Sequence, residues 1–69
     1  SVILINNGNR GVVIDLQGNV ILKTDNLLSR LIDGFFFERF FDKDSKRVYT
    51  ANGKFLFEYN KEYNINVIK

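Results

Sequence analysis

The residue types that perform most enzymatic catalysis are missing from this chain of 69 residues, which contains neither Cys nor His. A nucleophilic role for Ser1, Ser29 or Ser45 would require a neighbouring base, and the customary base is His. Without Cys and His, the chain also has no disulfide and no ligand set for a structural zinc ion. We therefore predict that the protein is not an enzyme and carries no cofactor.

Acidic residues occur in two arrangements that could hold a ligand or a proton. Asp42 and Asp44 have the spacing with which a calcium-binding loop begins, but the sharp-turn Gly and the terminal Glu of such a loop do not follow. We interpret this segment as a charged hairpin tip. Asp15 lies in an otherwise apolar stretch, and we expect its carboxylate to accept hydrogen bonds from turn amides near Gly18.

Charge and length narrow the classes of function further. Ten basic and eight acidic residues give a net charge of +2, and two Asp residues are interspersed with the basic cluster Lys43, Lys46 and Arg47. Composition therefore argues against a nucleic-acid partner, which usually requires an uncancelled basic stripe. No apolar run approaches the roughly 20 residues that cross a bilayer, so no membrane span is predicted. We expect residues 1–69 to be a single small β domain excised from a larger protein of undetermined compartment.

Short apolar runs separated by turns that contain Gly or Asn predict a mostly β fold. We expect an antiparallel meander of six to seven short strands with one short helix, arranged as a small barrel or a stacked β-repeat. The helix is predicted over 26–33, because Leu27, Leu28, Leu31 and Ile32 would line one side of it. The strands are predicted at 2–5, 11–16, 20–23, 35–41, 47–51, 54–59 and 62–68.

Two similar phrases occur in the sequence, "GVVIDLQGNVIL" at 11–22 and "RVYTANGKFLF" at 47–57. Aligning Gly18 with Gly53 gives a period of 35 residues, and periods of roughly 20–50 residues are typical of stacked supersecondary units. This spacing indicates an internal repeat over 11–37 and 46–69. The alternative interpretation is that any two β-hairpins share such a pattern.

The segment "IDLQG" at 14–18, followed by "VI" at 20–21, resembles the WG-type bacterial β-repeat. The later part of that motif, a short turn of helix and a Gly before the next strand, is similar to "LSRLIDG" at 28–34. The chain departs from the motif because it has no Trp: Arg10-Gly11 stands where Trp-Gly would stand, with one extra residue before Ile14. The resemblance implies a non-enzymatic repeat module, one of several in a larger bacterial protein.

The segment "FFFERFF" at 35–41 is the densest aromatic stretch and is apolar on both faces of a strand. A single sheet buries only one face, so the other face would remain as an association surface. The alternation of a strand divides its side chains into two sets. The set predicted to bind a partner is Phe35, Phe37, Arg39 and Phe41, and the opposite set is Phe36, Glu38 and Phe40.

These observations favour a non-catalytic protein-interaction or structural β module of a larger bacterial protein. The partner would be a neighbouring module, a second copy in a homodimer, or a cell-envelope protein. The alternative is a small β-barrel that binds single-stranded nucleic acid, with the aromatic residues beside Arg39 as a stacking platform.

Overall fold

Seven short strands and one 3₁₀ turn make up the computed structural model, which describes residues 1–68. The strands are β1 (Val2–Asn7), β2 (Arg10–Asp15), β3 (Val20–Thr24), β4 (Leu27–Arg30), β5 (Phe36–Arg39), β6 (Ser45–Tyr49) and β7 (Phe55–Asn60), and the 3₁₀ turn spans Ile32–Gly34. The prediction of a mostly β antiparallel meander is confirmed. The strands form two sheets, β1-β2-β3 and β4-β5-β6-β7, which do not close, so the small-barrel alternative is not realised.

The second and third strands of each meander share one irregular register. Val13 pairs with Leu22 but Ile14 pairs with Val20, which leaves Ile21 as the extra residue of a β-bulge. The same shift recurs 35 residues later, where Val48 pairs with Phe57 and Tyr49 pairs with Phe55. The extra residue there is Leu56, so Ile21 and Leu56 occupy corresponding places.

The first strand of each meander corresponds as well, once a longer hairpin loop is taken into account. Leu4 pairs with Val13, and Phe37 pairs with Val48, so Phe37 takes the place of Leu4 in the second meander. By the same pairing, Phe36 takes the place of Ile3 and Glu38 that of Ile5. The repeat limits 11–37 and 46–69 stay a prediction, and the second ends at Lys69, outside the described residues.

The helix predicted over 26–33 is wrong, because residues 27–30 form strand β4. The leucine spacing fits a helix, yet a helix of one or two turns gains little stability by itself. In the extended form, Leu28 is fully buried and β4 pairs with β5 from Leu27–Arg39 to Arg30–Phe36. Only the 3₁₀ turn is helical, and it ends where Asp33 and Gly34 adopt positive φ of 63° and 81°.

The strand predicted over 62–68 is also wrong. After β7, the described residues form a turn followed by irregular chain. The alternation of Tyr63, Ile65 and Val67 with polar residues selects which face is apolar, but it does not supply a neighbouring strand to pair with. Ile65 and Val67 are nevertheless half-buried.

The core lies between the two sheets and is small. Val13 from the first sheet meets Leu28 and Phe36 from the second, and partly buried apolar residues of β1 and β3 surround them. Leu28 lies directly on Gly11, since a Cβ atom on Gly11 would be 2.7 Å from the Leu28 Cβ. The molecule measures 36 × 31 × 16 Å, so it is flat.

Candidate functional site

The four residues predicted to bind a partner lie at the second sheet but do not form one continuous row. Phe35 and Phe37 are half-buried, Arg39 is exposed, and Phe41 is 70% exposed. The predicted strand 35–41 is too long, because β5 ends at Arg39 and Phe41 lies in the bend that follows. Phe37 and Arg39 share one face of β5 by strand alternation, and Phe35 precedes the strand.

An apolar face runs across three strands of the second sheet. Phe37 pairs with Val48, and Val48 pairs with Phe57, so these side chains form a row on one side of the sheet. Together with Phe35 they make up what we call the outer face: Phe35, Phe37, Val48 and Phe57. Val48 is buried, but Phe57 is 45% exposed. The outer face is therefore only partly covered within the described chain.

A cavity of about 270 Å³ opens over the outer face. Its lining is mostly apolar and includes Phe35, Val48 and Phe57 of the face together with Leu56 of the bulge. Ile65 and Val67 of the C-terminal segment close another side. An apolar cavity at a partly exposed apolar face is suited to an apolar side chain from another element.

The outer face corresponds to a surface that is covered in the other half of the molecule. Leu4, Val13 and Leu22 of the first sheet hold the places of Phe37, Val48 and Phe57. On the first sheet these residues belong to the core, because β4 and Phe36 of β5 pack on them. The outer face therefore repeats a surface that takes another sheet.

Basic side chains lie over the aromatic rings of the "FFFERFF" segment. The Lys46 Nζ is 4.9 Å from the ring centre of Phe37, and the Lys43 Nζ is 4.4 Å from that of Phe40. The Arg47 guanidinium also approaches Phe40, at 5.0 Å, and is paired with Glu58 at 2.8 Å. These cations are engaged with rings and a carboxylate of the chain itself.

Glu38 is the one buried charged residue of the described chain, with 3% of its surface exposed. Its Oε2 accepts hydrogen bonds from the Thr24 hydroxyl and from the Asn26 Nδ2 at 2.9 Å, and its Oε1 accepts one from the Tyr49 hydroxyl at 2.6 Å. Burial alone would raise the pKa of Glu38, but these hydrogen bonds outweigh it and hold the pKa below its ordinary value. Burial and the bond to Glu38 raise the pKa of Tyr49 to about 12.

The Glu38 cluster joins the two sheets rather than presenting a reactive group. Thr24 ends β3 of the first sheet, while Glu38 and Tyr49 belong to the second. The carboxylate oxygens are occupied by protein donors and are shielded from solvent. Sequence reasoning placed Glu38 beside Phe36 without giving it a role. A signal was available, since an acid flanked by aromatic residues on the inward set requires hydrogen-bonding partners.

Asp15 organises the turn after β2, as the sequence predicted. Its Oδ1 accepts hydrogen bonds from the backbone N–H of Gln17 at 2.9 Å and of Asn19 at 2.8 Å. The side-chain amide of Asn19 donates to its other oxygen and contributes most to lowering the Asp15 pKa. Thr50 holds the corresponding place after β6, where its hydroxyl accepts a hydrogen bond from the Lys54 N–H at 3.0 Å.

Residues 1–68 contain no group of three or more His, Cys, Asp or Glu residues that could hold a metal ion. Asp44 of the predicted hairpin tip pairs with the Lys61 Nζ at 3.2 Å. Within the same residues, no helix has the length and apolar character to cross a membrane.

Comparison with known proteins gave no match. No protein-family model fits the sequence, and neither the curated proteins nor the solved structures include one similar to it.

Proposed function

We propose that the protein is a non-catalytic β module that binds another protein, or builds a larger assembly, through the outer face of its second sheet. The observation that carries this proposal is the correspondence between two surfaces. Leu4, Val13 and Leu22 lie under a packed sheet, whereas Phe37, Val48 and Phe57 hold the same places and line open cavities. Val48 and Phe57 line the cavity of about 270 Å³, and Phe37 lines a neighbouring cavity. A surface of this kind gains free energy when a partner removes it from water.

The partner is a neighbouring module, a second copy or an envelope protein of a larger bacterial assembly. The resemblance to WG-type β-repeats supports a repeat module of this kind. Phe35, Phe37, Arg39 and Phe41 stay the proposed partner-binding residues, with Phe37 at the centre of the contact. Arg39 and Phe41 would lie at its rim, since both are exposed.

The alternative function, binding of single-stranded nucleic acid, receives less support. The barrel assumed for it is not formed. Stacking platforms require free aromatic faces beside free cations, whereas Lys46 lies over Phe37 and Arg47 is paired with Glu58.

Sedimentation velocity of the chain, from micromolar to several hundred micromolar, tests the proposal. We expect self-association that Phe37→Asp abolishes while the β-type circular dichroism spectrum is retained, because a charged carboxylate at the contact would be removed from water when the partner binds. Phe55→Asp is the control, since Phe55 is an aromatic residue of the same sheet but contacts Tyr49 on the opposite face.

Two results would count against the proposal. The first, a strictly monomeric chain over the whole concentration range, would exclude a second copy as the partner. The second is tight, salt-dependent binding of a labelled oligonucleotide that is lost in Phe37→Asp, which would favour the alternative function.

A further inference from the structure

The first sheet has an open edge at β1, whereas the corresponding strand of the second sheet, β5, has a further strand beside it. β5 has β4 on one side and β6 on the other. β1 holds the corresponding place in the first sheet, but among residues 1–68 it pairs with β2 alone. Its other edge therefore presents unpaired backbone N–H and C=O groups, which favour the addition of a strand.

The side chains of β1 are also apolar on the side that has no cover. Ile3 and Ile5 are 45% and 49% exposed. They hold the places of Phe36 and Glu38, which are both buried between the sheets. The exposed side of β1 thus corresponds to a side that packs on another sheet.

The C-terminal segment provides the matching strand. The segment follows β7 in the chain as β4 follows β3. With the period of 35 residues, Glu62 corresponds to Leu27 and Tyr63 corresponds to Leu28. Leu28 lies on Gly11, and the residue that corresponds to Gly11 in the second meander is Lys46. Tyr63 lines a cavity together with Lys46, so Tyr63 is already close to the place that corresponds to that of Leu28. The segment is therefore near its strand position, but residues 1–68 provide no strand in the place of β5 for it to pair with.

The turn glycines give a second, independent indication. Gly18 and Gly53 both have φ of 88° and hold the same place in their turns. A Cβ atom on Gly53 would be 2.5 Å from the Ile21 carbonyl oxygen, whereas a Cβ atom on Gly18 would meet nothing within 4 Å. The residue that corresponds to Ile21 is Leu56, beside the open cavity of the second sheet.

From these correspondences we propose that copies of this chain associate head to tail, with β1 of one copy adding as a strand to the C-terminal segment of the next. Ile3 of the first copy enters the cavity over the outer face, and its Gly18 turn packs on Leu56. The antiparallel register follows that of β4 with β5 and pairs Glu62 with Asn6, Tyr63 with Ile5, Asn64 with Leu4 and Ile65 with Ile3. This inference rests on the proposed function, since it names the second copy as the partner of the outer face.

A head-to-tail contact joins two different surfaces: the head, formed by β1 and the Gly18 turn, and the tail, formed by the outer face, Leu56 and the C-terminal segment. Every oligomer therefore keeps one free head and one free tail. The mean mass of the wild-type chain should therefore rise continuously with concentration, without a plateau at the dimer. A symmetric homodimer through the outer face would instead stop at two copies.

Two variants that each block one surface provide the decisive test. Ile3→Asp disables the head and Leu56→Asp disables the tail; each alone should weaken self-association more than about tenfold, because a carboxylate is buried at the contact. An equimolar mixture should form a discrete heterodimer, since one variant retains its tail and the other its head. Ile32→Asp is the matched control: Ile32 is an exposed apolar residue at the turn before β5, outside both surfaces. Circular dichroism and thermal unfolding check that each variant is folded.

The outcomes separate this inference from the proposed function. Self-association that Phe37→Asp abolishes but Ile3→Asp leaves unchanged would overturn the head-to-tail contact and leave the outer face as the binding surface. Failure of the folded variants to complement each other would also overturn it. No self-association of the wild-type chain would overturn the head-to-tail contact and exclude a second copy as the partner of the outer face. Should Leu56→Asp fail to fold, Tyr63→Asp replaces it, because Tyr63 is exposed and outside any strand.

Discussion

The backbone of Gly53 lies against the backbone of Ile21: a Cβ atom at Gly53 would be 2.5 Å from the Ile21 carbonyl oxygen and 2.8 Å from the Ile21 Cγ2. This contact joins the turn after β6 to the bulge of β3, so the second meander rests on the first through a residue without a side chain. Gly53 also has φ of 88°, as expected for the "NG" turn. Two separate constraints therefore select Gly at this position.

Replacing the two turn glycines separates these constraints. Gly18→Ala, which has space for the methyl group, should cost about 1–2 kcal/mol of unfolding free energy from the left-handed backbone alone. Gly53→Ala should cost a further 1–3 kcal/mol or so, because the methyl group displaces the Ile21 backbone. Urea denaturation measures the two unfolding free energies, at low micromolar chain concentration so that self-association does not contribute. Equal midpoints for the two variants would contradict the contact.

The contact between Gly11 and Leu28 predicts a coupled pair of substitutions. Gly11→Ala places a methyl group 2.7 Å from the Leu28 Cβ in a fully buried site, and we expect a cost of about 1–3 kcal/mol. Leu28→Ala leaves a cavity and should cost about 2–5 kcal/mol. The double variant should lose less stability than the sum of the two single costs. Leu28→Ala keeps the Cβ but removes the Cγ and Cδ1 atoms, which would be 2.7 Å and 2.8 Å from the new methyl group, and the methyl group fills part of the cavity. A double-mutant cycle measures the coupling, and additive costs would refute it.

Local signals in the sequence were sufficient for most of the strands. Turns containing Gly and Asn bounded the apolar runs. Each repeated phrase covers the bulged pair of strands in its meander, β2 with β3 and β6 with β7. The errors occurred where local pattern and tertiary pairing disagree. Helical spacing is shown by Leu27, Leu28, Leu31 and Ile32. Residues 27–30 nevertheless form a strand, because they pair with the edge of β5. The segment 62–68 has strand alternation but pairs with no described edge.

The candidate site was predictable in its location but not in its extent. Alternation correctly set Phe36 apart from Phe37, since Phe36 is buried in the core. The sequence could not indicate that Val48 and Phe57 complete the outer face, because cross-strand neighbours depend on register. Nor could it show that Glu38 meets Thr24 and Asn26, whose positions follow from the packing of one sheet on the other.

The Asp15 turn gives a prediction about hydrogen-bond acceptors. Asp15→Ala should lower the denaturation midpoint, because the N–H groups of Gln17 and Asn19 lose their acceptor. Asp15→Asn retains an oxygen in the same place and should lose less. Thermal unfolding of the three proteins checks the order wild type, Asn, Ala. An Asn variant as unstable as the Ala variant would mean that charge, not acceptance of hydrogen bonds, stabilises the turn.

Glu38 predicts a defined pH dependence of stability. Its pKa in the folded protein is below the ordinary value of 4.5, because the hydrogen bonds from Thr24, Tyr49 and Asn26 outweigh the effect of burial. A carboxyl whose pKa is lowered by folding stabilises the protein above its ordinary pKa, and that contribution disappears as the pH falls through the folded-state pKa. The free energy of unfolding should therefore decrease below about pH 4.5.

Glu38→Gln isolates this contribution. At pH 7 the variant should be less stable by about 1–3 kcal/mol, because an amide offers one acceptor oxygen to three donors and brings N–H groups of its own. The difference from wild type should shrink as the pH falls below about 4.5, since protonation of Glu38 removes the charge that the glutamine variant lacks at every pH. Asp15 and Glu58 also have lowered pKa values, but they are present in both proteins and cancel in the difference. Glu62→Gln, at an exposed position after β7, is the control for the loss of one carboxylate. A constant difference between wild type and Glu38→Gln from pH 7 to pH 3 would show that the carboxylate charge at the joint between the sheets contributes nothing to stability.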